Sequence, residues 1–356
     1  NPSEDAMLIN IGHTYENAIG NDKKALEYYK KYEKLYPNSQ NVHKRLAYFY
    51  RNNSNYEKAD EHFLKASTYG EKSMKFDLKY LENSGNLKSW NMEEYLAEYE
   101  ALQGKYTEPD DTLALIAEKR RKVSQYGKFR DAIEYVKQSQ NIAARIYGGL
   151  MPLFANQSTL YYLAYLEDDQ SANEIFKMVE QMLTQPPLDK FHYFFKRIYY
   201  QNRGDVDNLK LVLDKSIAAE TGAGIGGQNA YDYSYCYGLI QMHEGNYEEA
   251  IKKFEESIAL LSTAENKLAF IKIAQCYNKI GKKRKAEDYF SQIINIAGKN
   301  EPDINYYYAL FLEEHGDTQK AREIIENAYA LYKDADEEYK LAQSINKKYK
   351  EYQNLP

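Results

Sequence analysis

The sequence predicts an all-α superhelix, a solenoid of about nine helix-turn-helix hairpins followed by a C-terminal capping helix. Three observations predict it: a motif that returns every 34 to 36 residues, apolar positions at helical spacing within each motif, and prolines kept to the joints between motifs. Length alone would suggest two or three domains at ~150 residues each, but a repeat array builds one quasi-continuous core.

The motif is anchored on alanines. Ala25 and Ala59 lie 34 residues apart, and Ala250, Ala286 and Ala321 follow at intervals of 36 and 35. Gly20, Gly245, Gly281 and Gly316 each stand five residues before such an alanine, and Tyr29, Phe63, Phe254, Phe290 and Ile325 four after. Gly127 and Ala132 repeat the spacing in mid-chain. A second small residue stands twelve before at Ala47, Gly238, Ala274 and Ala309, while Gly12 lies 13 before Ala25. Each motif therefore has two parts, one on either side of a glycine corner.

Taken in order, the hairpins are expected at residues 5–37, 39–71, 73–107, 110–147, 151–185, 188–221, 229–263, 266–299 and 302–333, with a last helix at 336–353. Glycine ends the first helix of a pair because it tolerates the left-handed conformation, and the Asn or Asp after it caps the second, as in Gly204-Asp205, Gly245-Asn246 and Gly316-Asp317. Asn246 and Glu249 also have the spacing of a capping box. Helical periodicity is clear in Ile251, Phe254, Ile258 and Leu261, with Lys252, Lys253, Glu255 and Glu256 on the opposite face. Small residues let paired backbones approach, and the large residue four further on is expected to fill the gap to the neighbouring hairpin. Pro37, Pro109, Pro152, Pro186, Pro187 and Pro302 fall at handovers, where they break no helix. The last helix carries Glu337, Glu338, Lys340, Lys347, Lys348, Lys350 and Glu351, a polar surface that would stop the stack.

Residues 46–66, 237–261 and 308–328 resemble tetratricopeptide repeats in their small, aromatic and turn positions. The resemblance is strong in about five repeats across residues 5–67 and 229–333. It divides the chain into regular repeats at 1–72, degenerate hairpins at 73–228, regular repeats at 229–334 and a cap at 335–356, all within one continuous solenoid.

In that family the first helix of each hairpin lines a concave groove. Mapped residue by residue, the resemblance puts Lys44, Tyr48, Arg51 and Asn52 there, then Tyr235, Leu239, Met242 and His243. Ile271, Gln275, Asn278 and Lys279 follow, then Tyr306, Leu310, Glu313 and Glu314. Such a groove implies a protein or peptide ligand. The family's carboxylate clamp is not matched, since Tyr48 stands where its Asn belongs and Ile9 where the first repeat would need Lys.

Tyrosine dominates the aromatic content, with 37 Tyr against 13 Phe and one Trp. Tyr15, Tyr29, Tyr50 and Tyr277 hold frame positions that pack between helices, whereas Tyr48, Tyr235 and Tyr306 point at the groove.

Other function classes find little support. With 47 basic and 53 acidic residues the formal charge is −6, against the concentrated basic surface of a nucleic-acid binder, so no nucleic-acid partner is expected. Mean hydropathy is −0.76 and no apolar run approaches ~18 residues, so membrane insertion is not expected. Cys236 and Cys276 are too few for a disulfide framework or a CxxC pair and read as free thiols of a cytoplasmic protein. The chain opens at Asn1 rather than Met, which reads as a processed or excised piece and leaves a removed signal peptide open.

The six histidines form no HExxH or other close ligand pair, so no metal is expected. Residues 222–227, GAGIGG, satisfy GxGxxG but follow a helical segment rather than a strand, so they read as a joint and no cofactor is expected. No nucleophile signature occurs, and no catalytic residue or enzyme activity is expected. The basic runs Lys119–Lys122 and Lys282–Lys285 read as solvated helix ends. The leading expectation is a non-catalytic scaffold that displays its concave face to a polypeptide. The alternative is a sensory or regulatory arm reporting to an effector domain outside this fragment, as in the larger signalling proteins that carry such repeats.

Overall fold

The computed structural model describes residues 2–147, 151–260, 267–297 and 301–354. Leu261, the last position of the apolar stripe, and the hairpin ends expected at 263, 266 and 299 lie outside them. Among the described residues there are nineteen α-helices and no strand. The first eight are α1 (Pro2–Thr14), α2 (Asp22–Leu35), α3 (Gln40–Asn52), α4 (Tyr56–Thr68), α5 (Met74–Lys88), α6 (Met92–Lys105), α7 (Pro109–Gln125) and α8 (Phe129–Ile146). Then come α9 (Met151–Leu166), α10 (Asp169–Met182), α11 (His192–Arg203), α12 (Val206–Gly222), α13 (Ala230–His243) and α14 (Tyr247–Leu260). The chain ends with α15 (Lys267–Lys279), α16 (Lys283–Ala297), α17 (Pro302–Glu314), α18 (Thr318–Tyr332) and α19 (Lys340–Gln353). The all-α class is the one the repeat spacing predicts, but the hairpin expected at 110–147 is not the observed pairing, since α8 packs chiefly on α9.

The chain forms two compact units, Asn1–Lys122 and Val123–Pro356. In the first, α1 pairs with α2 and α3 with α4, and α5 packs on α4. In the second, α11 pairs with α12, α13 with α14, α15 with α16 and α17 with α18, and α19 covers α18.

The corners form as expected. Gly245 and Gly316 have φ of 81° and 87°, a region where a side chain would be strained. Asn21 and Asp317 accept from the backbone N–H three residues on, at 3.1 and 3.3 Å. Asn246 differs, because its Nδ2 donates to Gln241 Oε1 at 3.0 Å. Both halves of a capping box close instead at Asn91 and Glu94.

The small-to-large frame acts both within a hairpin and between neighbours, where Tyr29 meets Phe49 edge-on at 5.9 Å and Phe290 lies 5.2 Å from Tyr308. A Cβ on Gly12 would lie 2.5 Å from the Tyr29 ring, and one on Gly238 would lie 2.5 Å from Phe254. The aromatic of the second helix thus packs against the glycine of the first, which sets how closely the two backbones approach. Gly85 and Tyr95 make the same contact in the α5–α6 pair. Tyr29 and Phe254 are fully buried there, each removing a large ring from water.

Candidate binding face

In the first unit the four groove residues expected on α3 are already engaged by neighbouring helices. Lys44 Nζ lies 5.2 Å above the Phe76 ring, and Tyr48 meets Phe63 edge-on at 5.8 Å, with burial raising its phenol. Arg51 donates to Glu82 Oε2 at 2.6 Å, and Asn52 Nδ2 to Glu16 Oε1 at 3.4 Å. Burial alone would raise the Glu82 carboxyl, but Lys79, Arg121 and Arg51 hold it below the usual carboxylate range. These side chains act as struts between repeats, and Arg51 offers no free charge.

The expected residues of the second unit divide. Tyr235 and Gln275 are partly accessible, and Gln275 Oε1 has no hydrogen-bond partner. His243 is exposed at the end of α13. Leu239 departs from the expectation: it is 7% exposed and packs in the core with Ala250 and Ile273, where its isobutyl group leaves water. Ile271 is buried likewise. Asn278 is used by the next repeat, donating to Glu314 Oε2 at 2.8 Å and contacting His315 Nε2 at 2.8 Å. Tyr306 lies edge-on to Tyr307 at 5.3 Å, and Leu310 is partly buried. Glu313 takes Lys348 of α19 at 3.0 Å.

Several residues of this face carry no signal in the repeat frame. The first turn of α8 meets the segment between α18 and α19, more than 200 residues away in sequence. Asp336 N–H donates to Gly127 O at 3.1 Å, and Arg130 N–H donates to Asp336 Oδ2 at 2.8 Å. The Arg130 guanidinium bonds Asp168 at 3.0 Å and Glu338 at 3.1 Å. Phe129 packs edge-on against Tyr339 at 4.7 Å. A Cβ on Gly127 would come within 2.7 Å of Ala335, so only glycine fits this joint. The arc of hairpins in the second unit is thereby closed on itself.

Tyrosines gather inside that closure. Tyr165 donates to the Tyr161 hydroxyl at 3.0 Å and stacks its ring on Phe129 at 5.1 Å. Tyr161 is 39% exposed, yet burial among surrounding helices raises its phenol, as it does for Tyr165, Tyr235 and Tyr332. A group that water touches but protein largely surrounds lies on a concave wall. The Asp303 carboxylate acts electrostatically on Tyr161, Tyr165, Tyr307 and Tyr332, which places α9, α17 and α18 around one space. Lys267 neutralises Asp303 at 3.2 Å and Glu301 at 2.6 Å. Lys272 lies 5.8 Å from the Tyr307 ring, has no carboxylate partner among the described residues, and is lowered by burial.

Two other expectations are corrected here. Lys119 and Lys122 are buried rather than solvated: Lys119 donates to Gln103 at 2.8 Å, and Lys122 lies 3.6 Å from the Tyr95 ring, lowered by burial to about 8. Lys282–Lys285 are exposed, as expected. The histidines do include a close pair, since α2, α3 and α4 bring Glu33, His43 and His62 together. At the joint, Gly226–Asn229 form a 3-10 turn, and Asn229 donates to the buried Glu220 at 2.6 Å.

No described helix is long and apolar enough to cross a membrane. Net charge is a sum over the whole surface, and the expectation that nucleic acid is excluded finds no support from it.

The family model of the tetratricopeptide repeat matches residues 6–39 and 268–298. The human protein IFIT1 homolog B is 28% identical over 178 residues, 43% of this chain, and the alignment spans only 36% of that relative's length. Among solved structures, a tetratricopeptide repeat protein from Parabacteroides merdae ATCC 43184 matches at TM-score 0.44 and 10% identity, covering 88% of this chain and 99% of that one. A human IFIT1 dimer with m7Gppp-AAAA matches at TM-score 0.47 and 15% identity, covering 98% and 82%. Yeast Tom70 matches at TM-score 0.37 and 15% identity, covering 94% and 77%. The repeat model falls on the α1–α2 and α15–α16 pairs, and the same glycine corner recurs between them, so these stretches of the chain are tetratricopeptide repeats.

Proposed function

We propose that this protein is a non-catalytic scaffold that holds a polypeptide segment against the tyrosine-lined inner face of its second unit. The observation that carries the reading is a set of unmatched polar groups on that face. Among the described residues Lys272 lacks a carboxylate, and Gln275, one helical turn further along α15, has an unpaired Oε1. Asp303 Oδ1 is also without a hydrogen-bond partner. Buried polar atoms are normally satisfied, so two buried acceptors without a partner beside accessible phenol rings mark a wall that a side-chain rotation would open to a ligand. One cation and two acceptors among phenol rings suit a peptide, which offers backbone N–H donors, carbonyl acceptors and a carboxylate. The preformed wall would lose little entropy on binding. On this reading Tyr235, Gln275 and Tyr306 of the expected groove residues would contribute to the binding face, while those of α3 serve as struts.

The test is selection of peptides against the untagged chain, followed by calorimetry of the strongest binder. Tyr235→Ala and Lys272→Ala should each weaken binding about tenfold or more, and the paired change Tyr48→Ala with Arg51→Ala should leave it unchanged. Loss of binding only in the α3 variant would move the site to the first unit. The solved human IFIT1 structures hold m7Gppp-AAAA or PPP-AAAA, so a triphosphate oligonucleotide is the control. Oligonucleotide binding lost in Lys272→Ala, with no peptide captured, would replace a peptide by RNA as the ligand.

A further inference from the structure

We propose that Glu33, His43 and His62 form a binding site for a divalent transition-metal ion of the zinc class, in the first unit and apart from the tyrosine-lined face. Glu33 lies in the last turn of α2, His43 in the first turn of α3 and His62 in the middle of α4. No sequence motif joins them; the stacking of the first hairpin on the second does.

The donor atoms are at ligand spacing. His43 Nδ1 and His62 Nδ1 are 3.1 Å apart, and Glu33 Oε1 is 3.9 Å from each. Zinc binds imidazole nitrogen at ~2.0–2.1 Å, so two nitrogens on a tetrahedral ion stand ~3.3 Å apart. The imidazoles are therefore already placed. The Glu33 carboxylate must approach by a little over half an ångström, and with its side chain 29% exposed it is free to do so.

The tautomer also fits. His43 Nε2 is 2.7 Å from the Pro37 carbonyl oxygen, which can only accept, so Nε2 carries the hydrogen and Nδ1 presents its lone pair to the shared space. A backbone carbonyl on the far nitrogen is the usual partner that orients a metal-binding imidazole. Tyr69 stacks on His43 at 5.6 Å and Tyr50 on His62 at 5.5 Å, fixing both ring planes. At 2% and 7% exposed, the two rings are not fluctuating surface side chains.

Without an ion, a single proton on His62 Nδ1 bridges the two nitrogens. A metal takes that place with no covalent change beyond a shift of tautomer, the proton leaving His62 Nδ1 and a proton from solvent taking its place on His62 Nε2, so that the ring stays neutral. Two imidazoles and one carboxylate are a borderline donor set that favours Zn2+ and its neighbours over Mg2+ or Ca2+. Three protein ligands leave a fourth position for water. Bound there, the ion would tie α2 of the first repeat to α3 and α4 of the second.

The experiment uses the untagged full chain, stripped with chelator and titrated with Zn2+ by calorimetry, and with Co2+ for its visible ligand-field band. One Zn2+ per chain and a tetrahedral Co2+ spectrum are expected. Glu33→Gln, at a partly exposed position, should weaken Zn2+ at least tenfold, and His62→Gln should abolish the cobalt band. His243→Ala, which removes an exposed histidine of the second unit, should change neither. Absence of saturable Zn2+ binding to the unaltered chain would overturn the proposal and leave a structural histidine pair. Binding that survives both Glu33→Gln and His62→Gln undiminished would overturn it equally, whatever either variant does to folding.

Discussion

Arg197 and Glu220 are both 0% exposed and pair across α11 and α12, so the substitution Arg197→Met tests how the joint before α13 is held. The guanidinium donates from Nε to Ser216 at 3.1 Å and to Glu220 at 3.3 Å, and its terminal nitrogens donate to Glu220 at 3.3 Å and Gln201 at 3.0 Å. Asp232 lies 3.5 Å away. Methionine matches the stem and removes the charge. The Glu220 carboxylate would keep its bonds from Ser216 and Asn229, each at 2.6 Å, but would stand buried without a cation. Breaking one side of a buried pair costs ~3–5 kcal/mol. For a unit of this size that lowers the melting temperature by roughly 6–20 °C. Replacing both groups, with Glu220→Leu added, should recover much of the loss, because two apolar side chains need no partner. A double-mutant cycle followed by thermal melting measures the coupling, expected at ~2 kcal/mol or more. A melting point unchanged in Arg197→Met, or strictly additive losses, would refute the reasoning.

Three further outcomes are expected. Gly238→Ala should destabilise the α13–α14 pair by ~1–3 kcal/mol despite alanine's better helix propensity, because its methyl would stand 2.5 Å from the buried Phe254 ring; thermal melting checks it, and a gain in stability would contradict it. Burial pushes the Cys236 and Cys276 thiols up to about 12, so at pH 8 only ~1 in 10⁴ is thiolate and a thiol reagent should label neither until the chain unfolds; prompt labelling of the native protein would count against it. Arg130→Ala should cost no more than ~1–2 kcal/mol, since its ion pairs are largely exposed, yet should raise hydrogen exchange at residues 333–339; unaltered exchange there would show that Phe129 and Tyr339 hold the closure alone.

The repeat frame was legible because glycine corners and alanine contacts are local requirements of one hairpin, satisfied again every 34 to 36 residues. The α5–α6 contact escaped it, since Gly85 meets Tyr95 at a separation of ten rather than the 16 that separates Gly238 from Phe254. Which side chains remain free could not be read from the repeat frame. Arg51 finds Glu82 at a separation of 31 and Asn278 finds Glu314 at 36, pairings that depend on rotamers in the adjacent repeat. The meeting of Arg130 with Asp336 and Glu338 depends on how curvature accumulates over six hairpins, which no single motif records. His43 and His62, 19 apart, match no ligand spacing because helix stacking, not one helix face, makes them neighbours.

The separations of the polar contacts explain why a chain so rich in charge and tyrosine stacks rather than collapses. Lys210–Glu244, Lys267–Glu301 and Tyr289–Glu255 all join residues 34 apart, and Glu313–Lys348 joins residues 35 apart, one repeat period in each case. Each is worth little by itself at a hydrated surface. Repeated at the period, they favour one register between successive hairpins, since a shift by one helical turn would break them together. Tyrosine suits the same need better than phenylalanine, because its ring packs on the small residue of the frame while its hydroxyl reaches a carboxylate, as Tyr29 does with Glu16 at 2.7 Å. On the inner face of the second unit, Lys272 has no carboxylate among the described residues and Gln275 Oε1 has no hydrogen-bond partner, whereas Asp303 keeps the period through Lys267. On the proposed function, that departure, rather than the tyrosines themselves, is what would set a binding surface apart from a packing surface in this array.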